Sequence, residues 1–330
     1  MVKEAENIPF DRLPSASSLQ TVEGTRHMRG MPPALRWLVL VVLVMGVPYI
    51  LVWQAVESAT YAQGHAQSGQ IPGLIAGLLF LIITLVMALQ LPALYVRFYD
   101  AKKLAGNTYQ NHLRAFGIAC EKAGVKPTPE LYVINESAPH ALGVGLLPSQ
   151  RKILFTRGLF DSLDPDQFEA YLDFILIEMA RGDLGAMTFG AAAAYIYLLP
   201  LKIADLADSD GLRVLLTVIF GWFGAIYIQA SGIRSDAYEL DQIAGALRGM
   251  SGHLALGSAL NDGSKVLFKH QIQRLDYSSA PLFVVNPLGT KGVAGIFATH
   301  APTPKRVKKL QTAGKKIVGK ERVAKSKGLV

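Results

Sequence analysis

Two long uncharged stretches decide the fold of this 330-residue chain. The first is Trp37–Val56, W-L-V-L-V-V-L-V-M-G-V-P-Y-I-L-V-W-Q-A-V, and the second is Ile71–Val96, I-P-G-L-I-A-G-L-L-F-L-I-I-T-L-V-M-A-L-Q-L-P-A-L-Y-V. They contain 20 and 26 residues, and about 20 apolar residues are enough for a helix to cross the hydrocarbon core of a bilayer. Trp37, Trp53 and Tyr95 stand near their ends, where interfacial aromatic residues are common. The pattern predicts a pair of transmembrane helices.

A second apolar pair follows at Leu184–Leu201 and Val214–Ile233. The run Gly190–Ala194, G-A-A-A-A, consists of small residues that allow helices to approach closely in lipid. We expect this pair to span the membrane as well, which gives four spans. A buried helical hairpin within a soluble core is the alternative interpretation of the second pair.

The charges of the loops predict the orientation. Several basic residues precede Trp37, the loop Glu57–Gln70 has no Lys or Arg, and Arg97, Lys102 and Lys103 follow the second span. Because cytoplasmic loops carry an excess of Lys and Arg, both termini are expected in the cytoplasm. The loop Lys202–Arg213 is then expected on the far side of the membrane.

Composition excludes several classes of protein. Hydrophobic residues make up 51% of the chain and charged residues 18%, which excludes a disordered chain, a coiled coil and a collagen-like fibre. The single cysteine, Cys120, excludes an intramolecular disulfide and a cysteine-built metal site, and is expected to be a small buried hydrophobe.

The net charge of +8 is concentrated in the C-terminal tail, where ten Lys or Arg and one acidic residue follow Pro304. Such a tail beside membrane helices indicates contact with anionic lipid headgroups. Nucleic-acid binding is disfavoured, because the tail has no aromatic residue for base stacking.

The polar regions predict a small unit of helices and strands. Glu130–Ile134 and Ile153–Thr156 resemble strands, and His140–Gly145 an edge strand or loop. Asp164, followed by Pro165 and Gln167, predicts the start of a helix over Pro165–Arg181. Further helices are expected at Asn107–Gly124, Asp236–Leu247, Gly252–Leu260 and Pro304–Thr312.

The fold class is therefore an α+β membrane protein with four transmembrane helices and a cytoplasmic, mainly helical domain that carries a small β-sheet. The expected organisation is a disordered lead (1–36), a first membrane hairpin (37–96), the first half of the cytoplasmic domain (97–183), a second membrane hairpin (184–233), the second half (234–312) and a basic tail (313–330).

Four short segments occur in a specific order along the chain. They are Arg157-Gly158-Leu159, Ala180-Arg181-Gly182-Asp183, a helical segment with Arg234, Tyr238, Glu239 and Asp241, and Phe297-Ala298-Thr299-His300-Ala301-Pro302 with Lys305-Arg306. Together with the apolar pairs, they resemble motifs of the HtpX-like membrane zinc metallopeptidases, relatives of the CAAX prenyl endopeptidases. The resemblance implies a zinc helix that carries H-E-x-x-H and a later helix that supplies a third ligand, a glutamate.

The residues at the implied zinc positions do not match that chemistry. Counting back from Gly182-Asp183 places Phe174 and Glu178 at the two histidine positions and Ile175 at the glutamate position. Ala237 stands at the third-ligand position. A catalytic zinc needs three protein ligands and a carboxylate that accepts the proton of a bound water. No histidine in the chain is followed by glutamate, so we predict no catalytic residue, no metal and no cofactor.

The remaining polar residues near these positions have two interpretations each. Glu178 is expected to be a carboxylate on the helix surface, paired with Arg181, and otherwise to line the former cleft. His140 is expected to be a hydrogen-bonded surface residue, and otherwise a remnant metal contact with Glu178. His300 is expected to be structural. Asp183, Arg234 and Asp241 are expected to form a salt-bridge network.

The leading hypothesis is an inactive membrane pseudopeptidase that binds a protein or peptide partner. An extended peptide would add to an exposed strand edge formed by His140, Ala141, Leu142, Gly143, Val144 and Gly145. One alternative is an active zinc endopeptidase of protein quality control, with ligands from other positions. The other is a membrane scaffold or assembly factor that acts through its basic tail. The bacterial inner membrane is the expected location.

Overall fold

The computed structural model of the chain describes residues 33–61, 69–104, 110–206, 210–231, 234–247, 252, 254–261, 275–285, 287 and 301–326. Of the lead predicted at 1–36, residues 1–32 lie outside this part. Residues 33–36 belong to the first helix.

Four long helices of the described chain are strongly apolar. They are α1 (Pro33–Tyr61), α2 (Gln70–Phe98), α6 (Asp183–Leu206) and α7 (Asp210–Ser231). In length and apolarity α1, α2 and the Asp183–Lys202 portion of α6 are sufficient to cross a bilayer, whereas the apolar part of α7, Val214–Ala230, is shorter. The first pair presents many large apolar side chains to the outside, while two thirds of the apolar window of α6 is buried inside the protein.

Glycines hold α1 and α2 in an antiparallel hairpin. An added Cβ at Gly77 would lie 2.7 Å from the backbone oxygen of Met45, and one at Gly73 would lie 2.9 Å from that of Tyr49. Since real Cβ atoms do not approach a backbone oxygen this closely, only glycine allows the two helices to pack at this distance. The hairpin therefore brings the start of α1 and the end of α2 to the same side of the membrane.

A four-stranded mixed sheet lies in the polar part of the chain. Its strands are β1 (Lys102–Lys103), β2 (Glu130–Ile134), β3 (Ala141–Val144) and β4 (Lys152–Thr156), in the order β1-β2-β4-β3. β2 and β4 are parallel, with Tyr132 opposite Leu154, and β3 pairs antiparallel with β4. The strand predicted at Glu130–Ile134 has those bounds, and the one predicted at Ile153–Thr156 begins one residue earlier.

Six further helices are described outside the apolar pairs. They are α3 (Gln110–Lys122), α4 (Arg157–Ser162), α5 (Pro165–Ala180), α8 (Arg234–Leu247), α9 (residues 254–261) and α10 (Thr303–Ser326). The start of α5 follows its sequence signal, because Asp164 Oδ1 accepts from the backbone N–H of Gln167 at 2.8 Å, and the Gln167 side chain accepts from the backbone N–H of Asp164. The region predicted as a basic tail continues the helix α10 as far as Ser326.

The turn from β4 into α4 explains the Arg157-Gly158-Leu159 segment. The backbone N–H of Gly158 donates to Glu136 O at 2.9 Å. A Cβ at Gly158 would lie 1.9 Å from Ser137 O, so any side chain there would separate the two backbone segments. The turn thereby fixes the start of α4 against the end of β2.

Candidate functional site

The buried face of α5 is where the resemblance places a zinc helix. Phe174, Ile175 and Glu178 are all buried, and α5 packs on α3, α6 and α8. Phe174 and Ile175 belong to the hydrophobic core. Ala237 lies half-buried on α8, which packs against α5. These positions therefore belong to one packed interface between helices.

A buried arginine occupies the centre of this interface. Arg306, near the start of α10, is fully buried, and its Nε and Nη2 donate to Asp241 Oδ2 and Oδ1 at 2.8 and 2.7 Å. Its Nη1 donates to Val284 O at 2.6 Å. The guanidinium carbon also lies 5.0 Å from the ring centroid of Phe174. This bidentate pair is the strongest type of ion pair in proteins, and the aromatic face adds a cation–π contact.

The residues at the implied metal positions do not fit a zinc ion. Phenylalanine, isoleucine and alanine have no lone pair for a metal, which leaves Glu178 as the one oxygen donor among the four positions. Within the described residues no group of three His, Cys, Asp or Glu side chains is close enough to hold a metal ion. The Asp241 carboxylate is already bound on both oxygens by the guanidinium of Arg306.

Glu178 is not the surface carboxylate that the sequence suggested. Its side chain is only 7% exposed, and no hydrogen bond or ion pair joins it to another described residue. Burial, reinforced by the nearby Asp183 carboxylate, raises the pKa of Glu178 from 4.5 to about 8, while Arg36, Arg306 and Arg181 oppose the shift. At neutral pH the group is therefore mostly a neutral acid, which is a poor metal ligand.

Asp183 takes the partner that was predicted for Glu178. Arg181 Nε lies 3.1 Å from Asp183 Oδ2, and Arg36 Nη1 donates to Asp183 Oδ1 at 3.0 Å. Asp183 and Arg36 are both buried. Among the described residues, Asp183 is paired with Arg36 and Arg181, and Asp241 is paired with Arg306. The predicted network with Arg234 stays a prediction, because the side chain of Arg234 lies outside the described part. The sequence offers no local signal for either pair, since 147 and 65 residues separate the partners.

His140 is buried as well, so its expected place on the surface is wrong. Its backbone N–H donates to Thr156 Oγ1 at 2.8 Å, and its carbonyl accepts from the Thr156 backbone N–H at 2.9 Å. Its ring lies 5.3 Å from that of Phe283, edge to face. These contacts fasten the start of β3 to the end of β4.

β3 lies at the edge of the sheet, but that edge is not open along its first residues. Leu142 forms a β-bridge with Phe283, and Val284 donates its backbone N–H to Ala141 O at 3.1 Å. Ala141, Leu142 and Val144 are at most 1% exposed. Gly143 faces the side chains of Leu184 and Met179, and Gly145 donates its N–H to Thr188 Oγ1 at 3.0 Å. The first residues of the predicted partner-binding edge, Ala141 and Leu142, are therefore paired with the chain's own Phe283 and Val284.

The side chains of six histidines lie outside the described part of the structure. The predicted structural residue His300 is among them, and of the seven histidines only the side chain of His140 is described. Cys120 is buried as expected, and burial raises the pKa of its thiol to about 12.

Comparison with known proteins gives one consistent group of relatives. The chain is 28% identical over 200 residues to "Protease HtpX homolog" of Syntrophobacter fumaroxidans, covering 56% of this chain and 70% of that protein. It is 28% identical over 213 residues to the protein of the same name from Dictyoglomus turgidum, covering 60% and 68%. It is 26% identical over 263 residues to "Protease HtpX" of Legionella pneumophila, covering 73% and 92%. No family model and no solved structure matches the chain.

The long apolar helices joined to a small α+β unit are those of a membrane protein, and the relatives are named as HtpX proteases. Over more than half of its length the chain is similar to HtpX proteins.

Proposed function

We propose that this chain is an HtpX-like membrane protein without zinc peptidase activity, and that it acts by binding a protein or peptide segment at the membrane. One observation carries the proposal. The four positions where the zinc helix and its partner helix would supply ligands and the general base hold Phe174, Ile175, Glu178 and Ala237. Only Glu178 among them has an atom that can bind a metal, and a catalytic zinc needs three protein ligands.

The lack of a proton acceptor supports the same conclusion. Ile175 stands where the general base of H-E-x-x-H would be, and the nearest carboxylic acid on α5, Glu178, has its pKa raised by burial to about 8. Glu178 also stands at the position of the motif's second histidine, not at that of the general base, and at neutral pH it is mostly protonated. The two functions of the motif's glutamate and second histidine are therefore both missing from these positions.

The start of β3 is not a free edge at which a partner strand could be added. Since the 283–285 segment already pairs with Ala141 and Leu142, an added strand would first have to displace it. The proposed location is the bacterial inner membrane, with both termini in the cytoplasm, as the charges around α1 and α2 favour.

The deciding experiment measures zinc and proteolysis on the same preparation. The full chain is purified in detergent, its zinc content is determined by elemental analysis, and cleavage of an unfolded membrane protein is followed with and without added zinc. The Legionella pneumophila relative named Protease HtpX serves as the control for the assay. We expect less than one zinc per chain and no cleavage under conditions in which the control cleaves.

The names of the relatives favour a second candidate, an active zinc endopeptidase. Its ligands would come from positions outside the described residues, where six of the seven histidine side chains lie. This candidate requires cleavage that a chelator abolishes and added zinc restores. The same outcome would reject the proposal above.

The basic helix α10 favours a third candidate, a membrane scaffold. Lys305, Lys308 and Lys315 are exposed on it, and each near-surface basic residue contributes about 1 kcal/mol to binding of anionic lipid. The proposed role for these residues is contact with lipid headgroups. Removing residues 315–330 tests the candidate, because a scaffold of this kind would lose its function in cells while a Glu178→Gln variant would keep it.

A further inference from the structure

The first residue of α6 is in contact with the first turn of α1. Arg36, the fourth residue of α1, donates to the first residue of α6, Asp183, at 3.0 Å. The ring of Trp37, the next residue of α1, lies 5.4 Å from that of Phe189, which is six residues further along α6. The side of the membrane on which α1 begins is therefore also the side on which α6 begins.

The far end of α6 lies at the end of α2. Lys202 Nζ donates to Asp276 Oδ2 at 2.6 Å and lies 5.8 Å from the ring centroid of Phe98, the last residue of α2. The hydroxyls of Tyr95 and Tyr99 join the same cluster through Ser278 and Ser279, at 2.9 and 2.7 Å. Lys202 is thus held where α2 leaves the membrane.

These two attachments fix the direction of α6. The hairpin places the start of α1 and the end of α2 on one side, yet Asp183 and Lys202 are about 28 Å apart along the helix axis at 1.5 Å per residue. A helix parallel to α1 would carry Lys202 to the opposite side of a hydrocarbon core about 30 Å thick. Because both ends contact the same side, α6 is inclined to the helices of the first hairpin rather than parallel to α1, and between its ends it reaches Phe80 in the middle of α2.

The turn after α6 is too short to reach the other side. From Lys202 the helix continues to Leu206, which adds about 6 Å, and the four further steps to Asp210 span at most about 14 Å when fully extended. We propose that α6 and α7 form a hairpin that begins and ends on the same side of the membrane as the end of α2, and does not span the bilayer.

The surface of α7 indicates what covers it. Its side chains Val214, Leu215, Val218, Ile219, Trp222 and Ile226 recur at helical spacing and are 42–64% exposed. The hairpin is attached to the membrane helices by Tyr227, whose hydroxyl donates to Leu43 O at 3.1 Å, and by the rings of Tyr197 and Phe80, 5.0 Å apart. The apolar stripe of α7 is therefore continuous with the lipid-facing surface of α1 and α2, and its occupant is the acyl-chain region of one leaflet.

Cysteine labelling tests the position of the turn. Gly211 is exposed and has open space around it, so Gly211→Cys is a mild change. Tyr61→Cys marks the side on which α1 ends, and Gln311→Cys marks the side of α10; both residues are exposed. The wild-type chain is the blank, since Cys120 is buried with a raised pKa. The variants are treated with a membrane-impermeant maleimide in right-side-out and in inverted vesicles.

We expect the maleimide to react with Gly211→Cys in the same vesicle orientation in which it reacts with Gln311→Cys. In the orientation in which Tyr61→Cys reacts, Gly211→Cys should remain unlabelled. Labelling together with Tyr61→Cys would overturn the inference and restore four spans. Protection from both sides would also overturn it, because the turn would then lie within the hydrocarbon.

The depth of Trp222 is an independent measurement. Trp222 is the middle residue of Val214–Ala230, so a spanning α7 would place it near the midplane, about 15 Å deep. A helix lying in the interface places it about 5–10 Å deep. In a Trp37→Phe, Trp53→Phe variant, quenching by lipids brominated at different positions along the acyl chain reports this depth. Strongest quenching by the shallow position is expected, and strongest quenching by the deepest position would contradict the inference.

Discussion

Removal of the Asp241 carboxylate is the most direct perturbation of the buried centre. The carboxylate and the guanidinium of Arg306 are 1% and 0% exposed, and two hydrogen bonds join them. Asp241→Ala would leave a permanently charged guanidinium buried with one carbonyl acceptor, Val284 O, and an aromatic face. Breaking a buried ion pair in this way costs about 3–5 kcal/mol.

The loss is measured as thermal unfolding of the purified protein in detergent. At about 2–4 °C per kcal/mol for a unit of this size, the melting temperature should fall by about 6–20 °C. Lys308→Ala is the matched control, because Lys308 is exposed on the same helix, and its effect should stay within about 0.5 kcal/mol.

A double variant separates the ion pair from the packing. In Asp241→Leu combined with Arg306→Met both charges are absent, and the remaining cost is the unpaired Val284 carbonyl, about 1–3 kcal/mol. The double variant should therefore be more stable than Asp241→Ala alone. Strictly additive effects of the two substitutions, or a loss below about 1 kcal/mol for Asp241→Ala, as for an exposed pair, would refute the reasoning.

Three further predictions concern other parts of the structure. Because burial raises the pKa of Glu178 to about 8, the contribution of its protonated form to stability is present below about pH 4.5 and is lost as the pH rises through 8. Glu178→Gln should remove this part of the pH dependence of the melting temperature. Equal slopes of melting temperature against pH for the wild type and the variant would contradict the prediction. Gly158→Ala should destabilise severely, by more than about 4 kcal/mol, since its Cβ would lie 1.9 Å from Ser137 O, and normal yield and melting of the variant would count against that close approach. Lys202→Met keeps the aliphatic stem but removes a donor to the buried Asp276, so thermal melting should report a loss of about 1–3 kcal/mol; an unchanged melting temperature would argue against this attachment of α6.

Local signals in the sequence were sufficient for the elements around the site. The capping residues Asp164 and Gln167 predicted the start of α5, and the apolar run Glu130–Ile134 predicted β2, because each signal acts within a few residues. The two fully buried ion pairs, Arg36–Asp183 and Arg306–Asp241, could not be predicted from local signals. Arg306 binds Asp241 across 65 residues, and nothing in the surrounding sequence indicates the choice of partner.

The error at Glu178 has the same origin. The spacing of Glu178 and Arg181 satisfies the rule for neighbours on a helix surface, but α5 has little free surface at that point because α6 and α8 pack against it. Arg181 instead reaches Asp183, just beyond the end of the helix. The four spans predicted from apolar length stay a prediction. The attachments of α6 to Asp276 and Phe98, which favour the non-spanning hairpin proposed above, involve residues remote in sequence.

The position of Arg306 has a consequence for synthesis of the protein. Asp241 and Val284 are made earlier than Arg306, so during translation they lack this partner until residue 306 has been added. Domains generally fold as units while the chain emerges, but here the buried ion pair beside α5 and α8 is complete only after the start of α10 has been made. A message truncated before codon 306 would therefore yield a membrane-inserted polypeptide with an open cytoplasmic unit, exposed to the cell's own proteases.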